Sequence, residues 1–292
     1  MPSPVMLMHL LLDAVARREQ ARVPEPAMAM TDAASTEAFM MAGREDGLLA
    51  HTYLYHAIQT CAVIRPGARV VDLGCGPTNQ LALIARLNAD AHFIGIDASE
   101  EQLALAEETL KRCNVHNVEL RKASMDALDD IGAASVDAVI STMSLHHLPN
   151  VAMLQATMRE AQRVLKPGGG IYLADFGRLK RESGQAFFAN DRKAVQPDIY
   201  TEDYYNSMRA AFSLAEMRDA AAVFGPMASL KRTFLVPFLV VIRSTHNLPF
   251  KESSRLVAKA VYASLSRQQR YDFRDLSRFF AHGGFPLPFK PW

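Results

Sequence analysis

The stretch Arg69-Val-Val-Asp-Leu-Gly-Cys-Gly-Pro77 limits the folds open to this chain more than any other. Val70 and Val71 read as the end of a buried parallel strand, and Asp72, Gly74 and Gly76 as an acidic glycine turn. From Thr78 a helix follows, with Leu81, Ile84, Ala85 and Leu87 on its apolar side. Glycine at such a turn supplies unusual dihedrals and lets a ligand approach the backbone. A strand–turn–helix unit of this kind puts its ligand outside the carboxyl end of the strand. The G-x-G spacing alone fits many nucleotide-binding sheets. A dinucleotide site, however, wants a third glycine where Asn79 stands. Asp72, two residues before the first glycine, would repel a pyrophosphate and suits a ligand carrying an ammonium group.

The chain continues in the order a doubly wound sheet requires. Residues 92–97 (HFIGID) read as a second strand ending in Asp97, with Ala98 beside it. A carboxylate at that tip can accept both ribose hydroxyls of an adenosine. Ser99 and Gln102 make a capping-box pattern, so Asp97 is expected to be free for the ligand. Residues 118–122 are a third strand and 135–141 a fourth. Asn150 caps a helix whose apolar side is Val151, Leu154, Met158, Ala161 and Leu165, and Lys166-Pro-Gly-Gly-Gly170 stops it. Residues 171–176 (IYLADF) are a fifth strand, with Asp175 near its tip.

With these motifs in order over about residues 68–176, the chain resembles the class I S-adenosylmethionine-dependent methyltransferases. Their first motif reads apolar-apolar-Asp/Glu-apolar-Gly-x-Gly, and VVDLGCGP lacks only the frequent third small residue. The resemblance, in the manner of the ubiquinone and menaquinone biosynthesis enzymes, implies an α/β, doubly wound, seven-stranded Rossmann-like sheet. Its last strand would be antiparallel, paired in a hairpin of residues 228–234 and 238–243 around Pro237. It implies S-adenosyl-L-methionine as cofactor, held by Asp72, Gly74, Cys75, Gly76, Asp97 and Ala98. Asp126 would meet the adenine amino group with Met125 flanking the ring, and Ser141 with Thr142 would face the pocket from the fourth strand. His146 and His147 are the acid–base candidates, since imidazole titrates near neutral pH. The resembled family also uses histidine here for packing and loop shape, which is the preferred reading. The strand tip lacks the Asn/Asp-Pro-Pro-Tyr/Phe pattern of adenine or glutamine amide methylation.

Residues 1–60 read as a helical lid, 61–243 as the cofactor-binding core, 177–211 as an acceptor-side insertion and 244–292 as a helical extension. In the lid, helical patterns cover Leu7 to Val15, 36–41 and 48–61, with a linker at 20–30; Met28 and Met30 are alternative starts. Tyr53, Tyr55, Tyr204 and Tyr205 are the candidate acceptor-binding residues, with packing on the sheet as the competing role for the first two. The extension carries eight basic residues against three acidic ones, read as a solvated face before a homo-oligomer contact or an acceptor-side patch. A net charge of +1 argues against a dedicated nucleic-acid surface. Cys61, Cys75 and Cys113 suggest neither a disulfide framework nor a metal site, which fits the cytoplasm. No apolar run is long enough to span a bilayer, and no signal peptide is expected.

The leading functional expectation is methyl transfer to a small-molecule acceptor through an oxygen, nitrogen or carbon nucleophile. The alternative uses the same cofactor for aminocarboxypropyl transfer or cyclisation of its amino-acid arm, releasing methylthioadenosine. A non-catalytic binding protein, or an RNA methyltransferase using the basic tail, is the third reading.

Overall fold

The computed structural model describes residues 3–25 and 47–292. The expected helix at 36–41, Met28, Met30 and part of the 20–30 linker lie outside the described residues. Helix α1 spans Pro4–Val15 and α2 spans Ala50–Thr60. Strand β1 (Arg69–Leu73), α3 (Asn79–Leu87), β2 (His92–Asp97), α4 (Glu100–Arg112) and β3 (Val118–Lys122) follow. Next come β4 (Val136–Thr142), α5 (Val151–Val164) and β5 (Leu165–Phe176). Helices α6 (Glu182–Asn190), α7 (Asp198–Ala210) and α8 (Leu214–Ala221) precede β6 (Ala228–Arg232) and β7 (Leu239–Ser244). Two helices, α9 (Glu252–Ser264) and α10 (Arg267–His282), close the chain.

The seven strands form one sheet in the order β3-β2-β1-β4-β5-β7-β6. The first five are parallel, and β7 runs antiparallel to both β5 and β6. The strand order reverses between β1 and β4, so the crevice at their carboxyl ends is where a ligand belongs in such a sheet. Alternate residues feed opposite faces. Val70, Phe93, Ile140 and Tyr172 join a core with α2 and α3, whereas Val71, Ile94, Val139 and Leu173 join one with α5 and α8. This is the period-2 geometry of a sheet covered on both sides.

The glycine run after α5 ends the helix as expected but enters the sheet at once. Leu165 already pairs with Val136, and an irregularity in register separates that pair from the continuous ladder starting at Ala138 and Gly170. A Cβ on Gly170 would lie 2.0 Å from the Val63 carbonyl oxygen, so the chain from α2 passes against a residue that has to be glycine. No helix among the described residues is long and apolar enough to cross a membrane.

The C-terminal extension packs on the core rather than standing off it. Tyr55 of α2 stacks on Phe280 of α10 with ring centroids 5.0 Å apart, and Phe273 meets the same tyrosine edge-on. Ser254 of α9 donates to the Leu87 carbonyl, 2.5 Å away, at the end of α3. Residues of α1, α2, the sheet, α9 and α10 therefore share one apolar cluster. The outward face of α10 keeps Arg267, Arg270, Arg274 and Arg278, while its other faces meet the protein. Phe280→Ala should lower unfolding free energy by about 3–5 kcal/mol. A single denaturant transition shifted to lower midpoint is expected; two transitions would show that the extension melts separately.

Candidate functional site

The turn after β1 is built for close approach. Gly74 and Gly76 have φ of +69° and +50°, values that disfavour side chains. A Cβ on Gly74 would come within 2.6 Å of the Ser144 Cβ, whereas one on Gly76 meets nothing within 4 Å. The Cys75 amide donates to the Ile96 carbonyl at 2.9 Å, and the Ser144 hydroxyl donates to the Gly74 carbonyl at 2.5 Å. The turn is thus tied to β2 on one side and to the loop after β4 on the other.

Two carboxylates flank it. Asp72 is buried, and its Oδ1 has no hydrogen-bond partner among the described residues. Burial, then the charge of Asp97, pushes its carboxyl well above the usual range. Asp97 is more committed than the sequence reading expected: it accepts from the Gly76 amide at 2.9 Å and the Ser99 amide at 3.0 Å. Ser99 does cap α4, accepting from the Gln102 amide. Each Asp97 oxygen takes one bond and so keeps acceptor capacity for a hydroxyl.

From this turn a cavity of about 510 Å³ opens at the carboxyl edge of the sheet. Of the residues picked from sequence, Asp72, Gly74, Cys75, Gly76, Asp97, Ala98, Met125, His146, His147, Tyr53 and Tyr204 line it. Four others turn elsewhere. Ser141 donates its hydroxyl to the Leu73 carbonyl at 2.8 Å inside the sheet, and its neighbour Thr142 faces the cavity instead. Asp126 takes the Ser124 hydroxyl, leaving Ala123, Ser124 and Met125 on the wall. Tyr55 lies two residues beyond Tyr53, on the far side of a helix buried nearly all round, with its hydroxyl accepting from Gln59. Tyr205 reaches outward to Glu182 at 3.1 Å, and Tyr200, one helical turn before Tyr204, lines the wall.

The histidines line the same cavity. They sit in a short 3-10 turn, Leu145–His147, entered through Met143 at φ +58°. Buried Asp175, at the tip of β5, accepts from His146 Nδ1 at 2.6 Å, from the His146 amide at 2.9 Å and from the Phe176 amide at 2.6 Å. That fixes the ring with Nδ1 as the donor and leaves Nε2 as the acceptor. Burial alone would lower the His146 pKa, but the charge and hydrogen bond of Asp175 outweigh it and the net shift is upward. Glu25 accepts from His147 Nδ1 and from the Ser207 hydroxyl at 2.8 Å, and lies 3.9 Å from His146 Nε2. Burial would raise the Glu25 pKa, yet the two histidines and Ser207 hold it down at about 2. Asp203 is pushed up to about 6 by burial and by the Glu25 charge.

Glu25 is brought there by its neighbour. Arg22 donates to the carbonyls of Ala210, Pro149, His146 and Leu148 at 2.5–2.9 Å, and its guanidinium lies 4.0 Å over the Phe212 ring. Ligand-capable atoms of Glu25, His146 and His147 lie within 4.8 Å of one another, a spacing these hydrogen bonds already account for. Arg22, Glu25 and Asp203 escaped the sequence reading, and Asp175 was noted only as a strand-tip residue. Helix α10 also lines the cavity, through Asp272, Leu276 and Phe279, with Asp272 paired to Arg192 at 2.7 Å. The α10 arginines stand on its outward side, as expected of a solvated face, while its inner side is a wall of this cavity.

The methyltransferase-domain family model matches residues 64–212. Over 188 residues the chain is 26% identical to a ubiquinone biosynthesis O-methyltransferase of Acinetobacter baumannii, covering 62% of this chain and 77% of that one. A protein of the same name from Methylococcus capsulatus is 34% identical over 112 residues, 38% of this chain and 45% of the other. Among solved structures, a Nostoc punctiforme protein classed with the O-methyltransferases superposes with a TM-score of 0.52 at 15% identity, covering 83% of this chain and 69% of that one. At that identity the likeness shows the fold.

The titrating groups give the site a pH signature. The raised His146 pKa adds stability that is complete below 6.5 and lost as pH rises through the folded value. The depressed Glu25 pKa adds stability that is complete above 4.5 and lost as pH falls toward about 2. Glu25→Gln should flatten the acid arm of a stability–pH curve. Asp175→Asn should move the His146 titration, read by NMR, downward, because burial is then opposed only by the lesser charges of Glu25 and Asp203. An unmoved His146 titration would show that Asp175 does not set it.

Proposed function

This chain belongs to the methyltransferase-domain family and is a class I S-adenosylmethionine-dependent methyltransferase, and from that premise we propose that it methylates a small molecule whose nucleophile must lose a proton. The observation that carries the proposal is the Asp175–His146 pair, whose free Nε2 stands on the wall of the cavity that begins at the glycine turn.

The residues of the turn fit the cofactor. The unpartnered Asp72 oxygen suits an ammonium, and the open side of Gly76 gives a ligand room against the backbone. Asp97 has acceptor capacity for ribose hydroxyls, while Ala123, Ser124 and Met125 offer a wall for the adenine. Bound there, S-adenosylmethionine supplies an electrophilic methyl group on a sulfonium, which is already a good leaving group. The protein then has to align the nucleophile, exclude water and take one proton. His146 would accept that proton at Nε2, with Asp175 holding the tautomer and stabilising the imidazolium. Glu25 and His147 lie beside it and would pass the proton toward Asp203.

The acceptor end is lined by Tyr53, Phe176, Phe188, Tyr200, Tyr204 and Phe238, with few cations. Such a wall suits an apolar or aromatic acceptor, and aromatic faces attract a sulfonium by roughly 0.5–2 kcal/mol. The relatives named O-methyltransferases favour oxygen as the attacking atom. Acceptor selection then lies in the lid, in the 177–211 insertion and also in α10. Three free cysteines support a cytoplasmic setting.

Asp97→Ala should weaken S-adenosylmethionine binding at least tenfold in calorimetry, since each charge-assisted hydrogen bond contributes about 1.5–3 kcal/mol. Unchanged affinity in a folded variant would remove Asp97 from the site. His146→Ala should lower turnover roughly 10²–10⁴-fold with cofactor affinity kept. A variant that melts earlier but turns over normally per folded molecule would assign His146 to packing. Chromatography of the spent cofactor should show S-adenosylhomocysteine; methylthioadenosine would establish transfer of the amino-acid arm instead.

A further inference from the structure

Helix α1 breaks the usual rule for a surface helix. Of thirteen large apolar side chains exposed among the described residues, six stand on this one element: Val5, Leu7, Met8, Leu11, Leu12 and Val15. At about 100° per residue they fall in one continuous arc along the helix. The narrower opposite side is well anchored. Leu10 is buried, Met6 packs against the core, His9 stacks on Phe187 at 4.4 Å, and buried Asp13 accepts from the Arg181 amide at 2.9 Å. The exposed arc is therefore not a helix that has failed to dock. Contiguous exposed apolar surface of this kind marks an interaction face.

The surroundings of the arc indicate what it meets. Its only acid, Asp13, is buried on the other side, so the arc itself carries no charge. At its C-terminal end Arg17, Arg18 and Arg181 are exposed, and Lys180 donates to the Ala16 carbonyl. Of the nearby acids, Glu19 is turned to Arg178 at 3.2 Å and Glu182 accepts from the Tyr205 hydroxyl at 3.1 Å. An apolar helical face with a basic rim is the pattern of a helix lying in a lipid interface, its arginines among anionic headgroups. A second copy of the chain is disfavoured by size. Twelve residues make a helix about 18 Å long, which presents a few hundred Å² at most, against roughly 800 Å² per partner in a stable interface.

We infer that α1 seats this protein on an anionic phospholipid surface, its apolar arc in the acyl boundary and Arg17, Arg18 and Arg181 at the headgroups. The inner side of the same helix, through Ser3, Met6 and Leu10, lines the large cavity, so the seated protein turns one wall of its cavity toward the lipid. The inference concerns a docking face and does not rest on the identity of the acceptor.

Flotation of the full chain with vesicles of phosphatidylglycerol and phosphatidylethanolamine tests it, with phosphatidylcholine vesicles as the neutral comparison. Binding to the anionic vesicles is expected, weakening as salt is raised. Leu11→Glu with Val15→Glu should cut that binding by roughly tenfold or more, because both charges enter the acyl boundary. Arg17→Gln with Arg18→Gln should cut it by roughly 25-fold, about fivefold per lost charge. Both variants should keep the wild-type melting temperature and S-adenosylmethionine affinity. Absence of anionic-vesicle binding, or binding equally strong in the variants, overturns the inference. A dimer in light scattering that Leu11→Glu dissociates, with no vesicle binding, assigns the face to a second copy and overturns it as well.

Discussion

A carboxyl group kept from water governs the architecture of the site. Asp72 ends β1 beneath a glycine turn, and the fold gives one of its oxygens no donor. Burying such a group is unfavourable unless a partner arrives. Because β1 is central and β4 lies beside it, that oxygen is held at the reversal point of the sheet, where the carboxyl-end loops of β1, β2, β3 and β4 converge. Asp97, tied to the turn through the Gly76 amide, makes the cradle doubly acidic. A cation with hydroxyl groups suits this cradle and a pyrophosphate does not.

Around the cradle, segments distant in sequence supply the roof. The strand tip of β5 fixes His146 through Asp175, and Arg22 clamps the chain entering from α1 onto four carbonyls so that Glu25 meets both histidines. With these contacts, packing does not preclude the acid–base role proposed for His146. The Asp175 bonds that shape the loop are the same ones that orient the imidazole. The wall is completed by α7 and α10, which bring aromatic surface, and by Arg192 of the segment between α6 and α7, which pairs with Asp272 of α10.

The sheet and the cradle were legible in the sequence because their signals are local. Short apolar runs of strand length, the glycine turn and the caps at Ser99 and Asn150 each lie within a few residues, and β2 and β3 coincide with the segments read from sequence. The roof was not legible for the opposite reason. Glu25 and its partner His147 are 122 positions apart, and Glu25 sits in a proline-flanked polar stretch without periodicity. Tyr53 and Tyr55 could not be told apart by pattern, since α2 is buried nearly all round and no solvent face marks its orientation. The charge count of the extension drew attention to the arginines of α10, whereas its contribution to the cavity comes from Asp272, Leu276 and Phe279 on the other side.

The central claim is that cradle and roof form one ligand site. Hydrogen–deuterium exchange with and without S-adenosylhomocysteine tests it most directly. The account predicts added protection in the turn at 72–77 and at 97–98 and 123–125, together with α7, α10 and the 20–25 segment. Protection confined to the turn and the neighbouring strand ends, with no change in α7, α10 or 20–25, would contradict it.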